Sequence, residues 1–153
     1  VEHIGFRVTR IRTFDKRPLY VPNSVFTNIS VENPSRMTNR RIYETIGIRY
    51  QDSRHLPAIM EGVRAMLLEH PEIDTNQTLI VNFNSFAESS LDFFIYTFTK
   101  TTDWVKFHEI KQDVLLKVLN IIHEKGGDCA FPTRTLHLDS VPPQLAGTVP
   151  AQR

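Results

Sequence analysis

Residues 10–41, RIRTFDKRPLYVPNSVFTNISVENPSRMTNRR, constrain this chain more than any other stretch. Arg10 and Arg12 alternate with Thr9, Ile11 and Thr13, the period of two that sends successive side chains to opposite faces of a strand. Asp15-Lys16 supplies turn chemistry, and Pro18 opens a second extended run through Val21, so the two runs form a hairpin. Pro22 removes a ladder donor, Asn23 tolerates turn geometry, and Ser24 is placed to cap a short helical turn carrying Val25 and Phe26. Pro22, Asn23 and Ser24 are therefore assigned a structural role, with the Asn23 side chain bonded to nearby backbone. A third strand is expected over residues 28–32.

Residues 33–41 hold three Arg, two Asn and a Pro without apolar periodicity and read as an interdomain linker. A second domain then opens at Ile42 with a strand over residues 42–50, in which Gly47 marks close packing or a bulge. Over residues 53–70, Leu56, Ile59, Met60, Val63, Met66 and Leu67 recur at helical spacing, with Asp52 or Ser53 as the cap and Pro57 held to the first turn. Residues 78–83 and 91–100 are strands rich in aliphatic and aromatic residues, separated by a polar loop over 84–90 and paired antiparallel. A longer helix over residues 103–125 carries Trp104, Phe107, Ile110, Val114, Leu115, Val118, Ile121 and Ile122 on one side and stops at Gly126-Gly127. The last short strand covers residues 133–138, and residues 139–153 are a tail with little to pack.

The order of strand, helix, two strands, helix and strand is that of a ferredoxin-like α+β unit. The division is thus 1–41 for a β domain with its linker, 42–132 for the α+β domain, 133–138 for the final strand and 139–153 for the tail. Length supports it: 153 residues can bury one ordinary core or two small ones. The longest strongly apolar run, residues 91–98 with Asp92 and Thr97 inside it, falls far short of the roughly 20 residues that cross a bilayer. Starting at Val1 without a signal-like segment, the chain is expected to be an excised or processed piece.

Three motifs in residues 1–41 resemble one family: TRIRT at 9–13, VPNS at 21–24 and NPSR at 33–36, in that order, before the basic Arg40-Arg41 pair. The chain is similar to the cytoplasmic region of mechanosensitive channels of small conductance, the MscS-type family. The resemblance continues to about Leu138, through the glycine turn after the second helix and the Phe131-Pro132-Thr133 run. It implies that residues 1–41 are part of an Sm-like β-barrel domain whose preceding residues, and the transmembrane helices before them, lie upstream. It implies a homo-oligomeric ring, a heptamer, on the cytoplasmic face of the inner membrane, a cage with portals for ions and small solutes in hypoosmotic protection. Asn33, Arg36, Arg40 and Arg41 would then lie on the linker or portal side. Thr133, Arg134, Thr135, Leu136, His137 and Leu138 would pair with their copies in a small barrel closing the ring. The residues themselves point to a further contact: a ferredoxin-like sheet has helices on one side only, so Phe94, Tyr96 and Phe98, on the other, need a subunit or domain to cover them.

Catalytic chemistry lacks convergent groups. His108-Glu109 and His123-Glu124 are neighbours pointing about 100° apart on a helix, and no His-Glu-x-x-His is present, so no metal is expected. Neither Ser89-Ser90, with His55 or His137 as base, nor Cys129 lies in a nucleophile motif, and the six glycines form no phosphate loop. A non-enzyme without a cofactor is expected. The single cysteine excludes an intrachain disulfide.

Charge leaves one competitor. Residues 1–41 carry eight Lys/Arg against three Asp/Glu, a net of +5, and residues 42–153 carry ten against fourteen, a net of −4. Arg7, Arg10, Arg12, Lys16 and Arg17 near Phe6 and Phe14 resemble a strand-borne nucleic-acid surface, which suits an RNA-binding protein with Sm-like and ferredoxin-like domains. The simpler account, favoured here, is that alternating Arg solvates the outer face of a hairpin, and no nucleic acid is expected.

Overall fold

Period-two alternation in the first 22 residues and helical periodicity after residue 53 lead to two separate compact units, divided between Met37 and Thr38. A computed structural model describes residues 1–134.

The first unit is a three-stranded antiparallel sheet of β1 (His3–Ile4), β2 (Val8–Arg12) and β3 (Pro18–Pro22) in the order β1-β2-β3. The β2–β3 hairpin is in the expected register, Thr9 opposite Val21 and Arg12 opposite Pro18, and its turn places Lys16 at φ 66°. After β3 a 3-10 turn covers Asn23–Thr27, as expected, but Ser24 does not cap it. The residue before the turn is Pro22, which has no side-chain acceptor to offer, and Ser24 lies inside the turn, where its carbonyl accepts from the Thr27 hydroxyl at 2.7 Å. The strand expected over 28–32 does not form. Ile29 and Val31 are 50% and 65% exposed, so nothing in this unit rewards extending and pairing that stretch.

The second unit is α+β. Its elements are β4 (Arg40–Ile48), a 3-10 turn (Tyr50–His55), α1 (Leu56–Glu69), β5 (Ile80–Phe86), β6 (Leu91–Thr99) and α2 (Trp104–Glu124). The sheet is antiparallel in the order β4-β6-β5, with β6 in the middle. Both helices pack on one face, and the apolar stripe of each explains why. Ile59, Val63 and Leu67 of α1, and Ile110, Val114, Val118 and Ile122 of α2, are buried against Ile42, Val81, Leu91, Phe93 and Ile95 of the sheet. Gly62 lets the helices close up, since a Cβ there would lie 3.0 Å from Ile121 Cγ2. Asp103 caps α2 by accepting from the Lys106 N–H at 2.8 Å, and Gly126, at φ 79°, ends it.

Several boundaries differ from expectation. β4 opens at Arg40, so Arg40 and Arg41 belong to a strand and not to the linker: Arg40 pairs with Thr99 and Arg41 with Phe98. The Arg40 guanidinium also stacks over Trp104 at 4.9 Å and donates through Nε to the Thr102 carbonyl at 2.7 Å. β5 runs on to Phe86 because a bulge between Phe83 and Ser85 absorbs Asn84 and restores pairing of Ser85 with Asp92. The first helix starts at Leu56 with Pro57 in its first turn, and neither Asp52 nor Ser53 caps it. The intervening 3-10 turn separates both from the helix, and Asp52 instead accepts from the Arg49 side chain and the Asp128 backbone. After α2, Cys129 forms an isolated bridge with Ile48 at the free edge of β4.

Candidate functional site

The face of the second sheet turned away from both helices is the feature with most to explain. Along β6, Leu91, Phe93, Ile95, Thr97 and Thr99 are buried, while Phe94, Tyr96 and Phe98, on the opposite face, are only half-buried. Register brings β4 into the same surface. Tyr43 lies opposite Tyr96, with ring centroids 6.1 Å apart, and its ring is 6.0 Å from that of Phe94. Tyr96 and Phe98 meet edge to face at 5.4 Å, and the Arg41 guanidinium sits 5.7 Å from the Tyr96 ring and 5.9 Å from that of Tyr43. Arg41, expected on the linker side, is thus part of the aromatic face. Tyr43 was not singled out from the sequence, although alternation with buried Ile42 and the antiparallel pairing of β4 with β6 put it there.

Asn23 sits where strand chemistry and turn chemistry meet. Its amide nitrogen donates to the carbonyls of Gly5 at 2.9 Å and Phe6 at 3.2 Å, and its oxygen accepts from the hydroxyl of Thr9 at 2.8 Å. The partners belong to the β1–β2 turn and to β2, 14 to 18 residues away, not to the Pro22 turn itself. Thr9, 5% exposed, is the one buried side chain of this unit among the described residues. Asn33 accepts from the Arg36 N–H at 3.0 Å through its carbonyl, within the approach to the short 3-10 turn Pro34–Arg36.

Two carboxylates engage three of the five basic side chains between Arg7 and Arg17, which leaves this stretch net positive. Arg10 pairs with Glu2 at 3.1 Å, Arg12 also pairs with Glu2, and Arg17 pairs with Asp15. The Arg12 hydrogen bond holds the Glu2 carboxyl below its usual range. Arginines held by acids of the same unit fit the solvated outer face of a hairpin.

Two polar groups of the second unit escaped sequence analysis. His70, at the end of α1, has a buried ring whose Nδ1 accepts from the Glu72 N–H at 3.2 Å. Its Nε2–H therefore donates to Asp113 at 2.9 Å, fixing the tautomer and tying α1 to α2. Asp113 also accepts from Lys117 at 2.7 Å, and these two bonds, that of Lys117 first, lower its carboxyl. No motif marks His70, because its partner is 43 residues away. The second group, Arg49 with Asp52 and Asp128, holds the chain after α2.

Among the described residues no cluster of His, Cys, Asp or Glu could hold a metal ion, and no helix is long and apolar enough to cross a membrane. Of the expected barrel strand, Thr133 and Arg134 are exposed, and the Thr133 hydroxyl donates to the Phe131 carbonyl at 3.0 Å. Thr135, Leu136, His137 and Leu138, with the tail, lie outside the described residues.

Comparison with known proteins accounts for this combination of sheets. Residues 44–127 match the family described as mechanosensitive ion channel MscS, C-terminal, and residues 1–36 match the mechanosensitive ion channel β-domain. The chain is 55% identical over 147 residues to the low conductance mechanosensitive channel YnaI of Escherichia coli, covering 96% of this chain and 43% of that protein. It is 36% identical to an uncharacterized MscS family protein of Aquifex aeolicus, covering 93% and 39% of the two chains. The chain therefore spans less than half the length of these relatives. In fold it is similar to Arabidopsis thaliana MSL1, with a TM-score of 0.80 at 22% identity over 85% of this chain and 47% of that one. Helicobacter pylori MscS in its closed state gives 0.76 at 21% identity over 92% and 54%. With both units matched in order along one chain, the protein belongs to the MscS mechanosensitive ion channel family.

Proposed function

We propose that these residues form the cytoplasmic vestibule of an MscS-type channel, a homo-oligomeric ring, heptameric in this reading, continuous with transmembrane helices and carrying portals for ions and small solutes during hypoosmotic shock. The observation that carries this is the aromatic face of Tyr43, Phe94, Tyr96 and Phe98 opposite the helices. A contiguous apolar patch of this kind marks association, and an equivalent subunit is the partner that a channel ring supplies. The first unit supports the same reading, because its sheet buries almost nothing of its own and neighbouring subunits or preceding residues would complete an Sm-like barrel. Residues 33–36 would then join the two units, and residues 133–138 would close the ring as an intersubunit strand. The role is to shape and filter the route to the pore, with no enzymatic chemistry, no cofactor and no nucleic acid.

The test uses the full-length protein in detergent and in cells lacking other such channels. Tyr96→Asp is expected to lower the assembled mass in sedimentation and to abolish survival of hypoosmotic shock. Full-mass rings and normal survival would overturn the assignment of this face. Truncation after Cys129 is expected to preserve the helical signal while lowering the assembled mass, and an unchanged ring would show that residues 133–138 do not hold it together.

A further inference from the structure

We propose that residues 128–130 form a strap, closed on the edge of β4 by a charge clasp centred on Arg49, which opens without unfolding the α+β core. The strap occupies the place of a fourth strand, yet its backbone holds on by little. Arg49 N–H donates to the Asp128 carbonyl at 3.3 Å and Ala130 N–H to the Gly47 carbonyl at 2.9 Å, around the single bridge of Cys129 with Ile48. Isolated pairings of this length are marginal.

Side chains supply what the ladder lacks. Arg49 Nε donates to Asp52 Oδ2 at 2.9 Å, and its Nη1 lies 3.1 Å from Asp128 Oδ2. The same Asp52 oxygen accepts from the Asp128 N–H at 3.0 Å. Asp128 Oδ1 accepts from the Cys129 N–H at 2.9 Å and lies 3.6 Å from His123 Nε2 of α2. One guanidinium thus joins two carboxylates, of which Asp52 is the more enclosed, with its side chain 13% exposed. Removing the cation leaves the two carboxylates it joined without their shared counter-charge, so the clasp loses its attraction. The core beneath rests on burial: Ile48, Ile59 and Ile122 are fully buried apolar side chains.

Cys129 reports the strap's state. It is the only cysteine of the chain, it packs against the core, and burial followed by the charge of Asp128 pushes its thiol up, so the closed strap is slow to react. The experiment follows labelling of Cys129 by a neutral disulfide reagent at constant pH, alongside thermal unfolding by circular dichroism. In Arg49→Gln the labelling rate is expected to rise about tenfold while the unfolding midpoint moves by only a few degrees, the signature of local opening. Adding Asp52→Asn to that variant removes one of the two uncompensated carboxylates and is expected to bring the rate part of the way back. Where Arg49→Gln fails to fold, Asp52→Asn, which takes the other carboxylate from Arg49 without removing the charge beside the Cys129 thiol, carries the same comparison. An unchanged labelling rate would overturn the proposal, as would a rate that rises only in step with global unfolding.

Discussion

The two sheets of this molecule are built by the same ladder chemistry and differ in what lies on them. In the second unit the sixteen buried apolar side chains found among the described residues gather between one sheet face and two helices. In the first unit the strands are paired residue for residue, yet Ile4, Leu19 and Tyr20 are 72%, 47% and 63% exposed. Hydrogen bonds and turns specify a strand pairing locally, but the net gain from a hydrogen bond is small beside the entropy of ordering the chain. Burial decides whether a sheet stands alone, and here only one of the two has it.

The contrast breaks first at the centre of the second sheet. Phe93 is fully buried on the middle strand, and Phe93→Ala is expected to cost about 3–5 kcal/mol in urea unfolding. Leu19→Ala in the first unit is expected to stay within about 0.5 kcal/mol when this chain is studied alone. A comparable loss at Leu19 would show that the first sheet has a core of its own. Next in size is Gly62→Val, which drives new methyls into Ile121 across the helix contact and is expected to cost about 1–3 kcal/mol in the same measurement.

Asn23 sharpens the comparison from the other side. Asn23→Ala deprives Gly5 and Phe6 of a donor and the buried Thr9 hydroxyl of its acceptor, so about 1 kcal/mol is expected, a large share of what so open a sheet can have. Hydrogen exchange of the β2 amides reads it out: faster exchange there with α2 unchanged is the expected result, and no change would remove Asn23 from its structural role.

The smallest effect is on pH. The Asp113 carboxyl is held below its ordinary value of 3.8, by Lys117 first and His70 second. A carboxyl lowered in the folded state contributes stability that is present above the unfolded-state value and is lost as pH falls through the folded one. The window therefore lies below about pH 4, and since the Asp113 side chain is 51% exposed the contribution is small and screened by salt. Asp113→Asn is expected to flatten the acid limb of the melting curve slightly in the second unit only, and an unaltered limb would mean that these bonds contribute nothing measurable.

Much of this was legible in the sequence where the cause is local. The apolar stripe from Phe107 to Ile122, the Gly126 stop and the hairpin around Asp15-Lys16 depend on residues within a turn or two of one another, and each stands where the pattern puts it, whereas Trp104, read onto the same stripe, is 57% exposed and lies under Arg40. Alternation along β6 also exposed the problem of a second apolar face before any sheet order was known. Only the tertiary structure decided that Arg40 and Arg41 belong to a strand, because their partners, Thr99, Phe98 and Trp104, are about sixty residues away. It decided that Asp52 serves the strap rather than the helix beside it, since the competing donors on Arg49 and Asp128 are brought together by folding. And it decided that residues 28–32, which alternate as a strand would, remain unpaired in this chain, because a strand takes its energy from a neighbour and its sequence cannot say whether one is there.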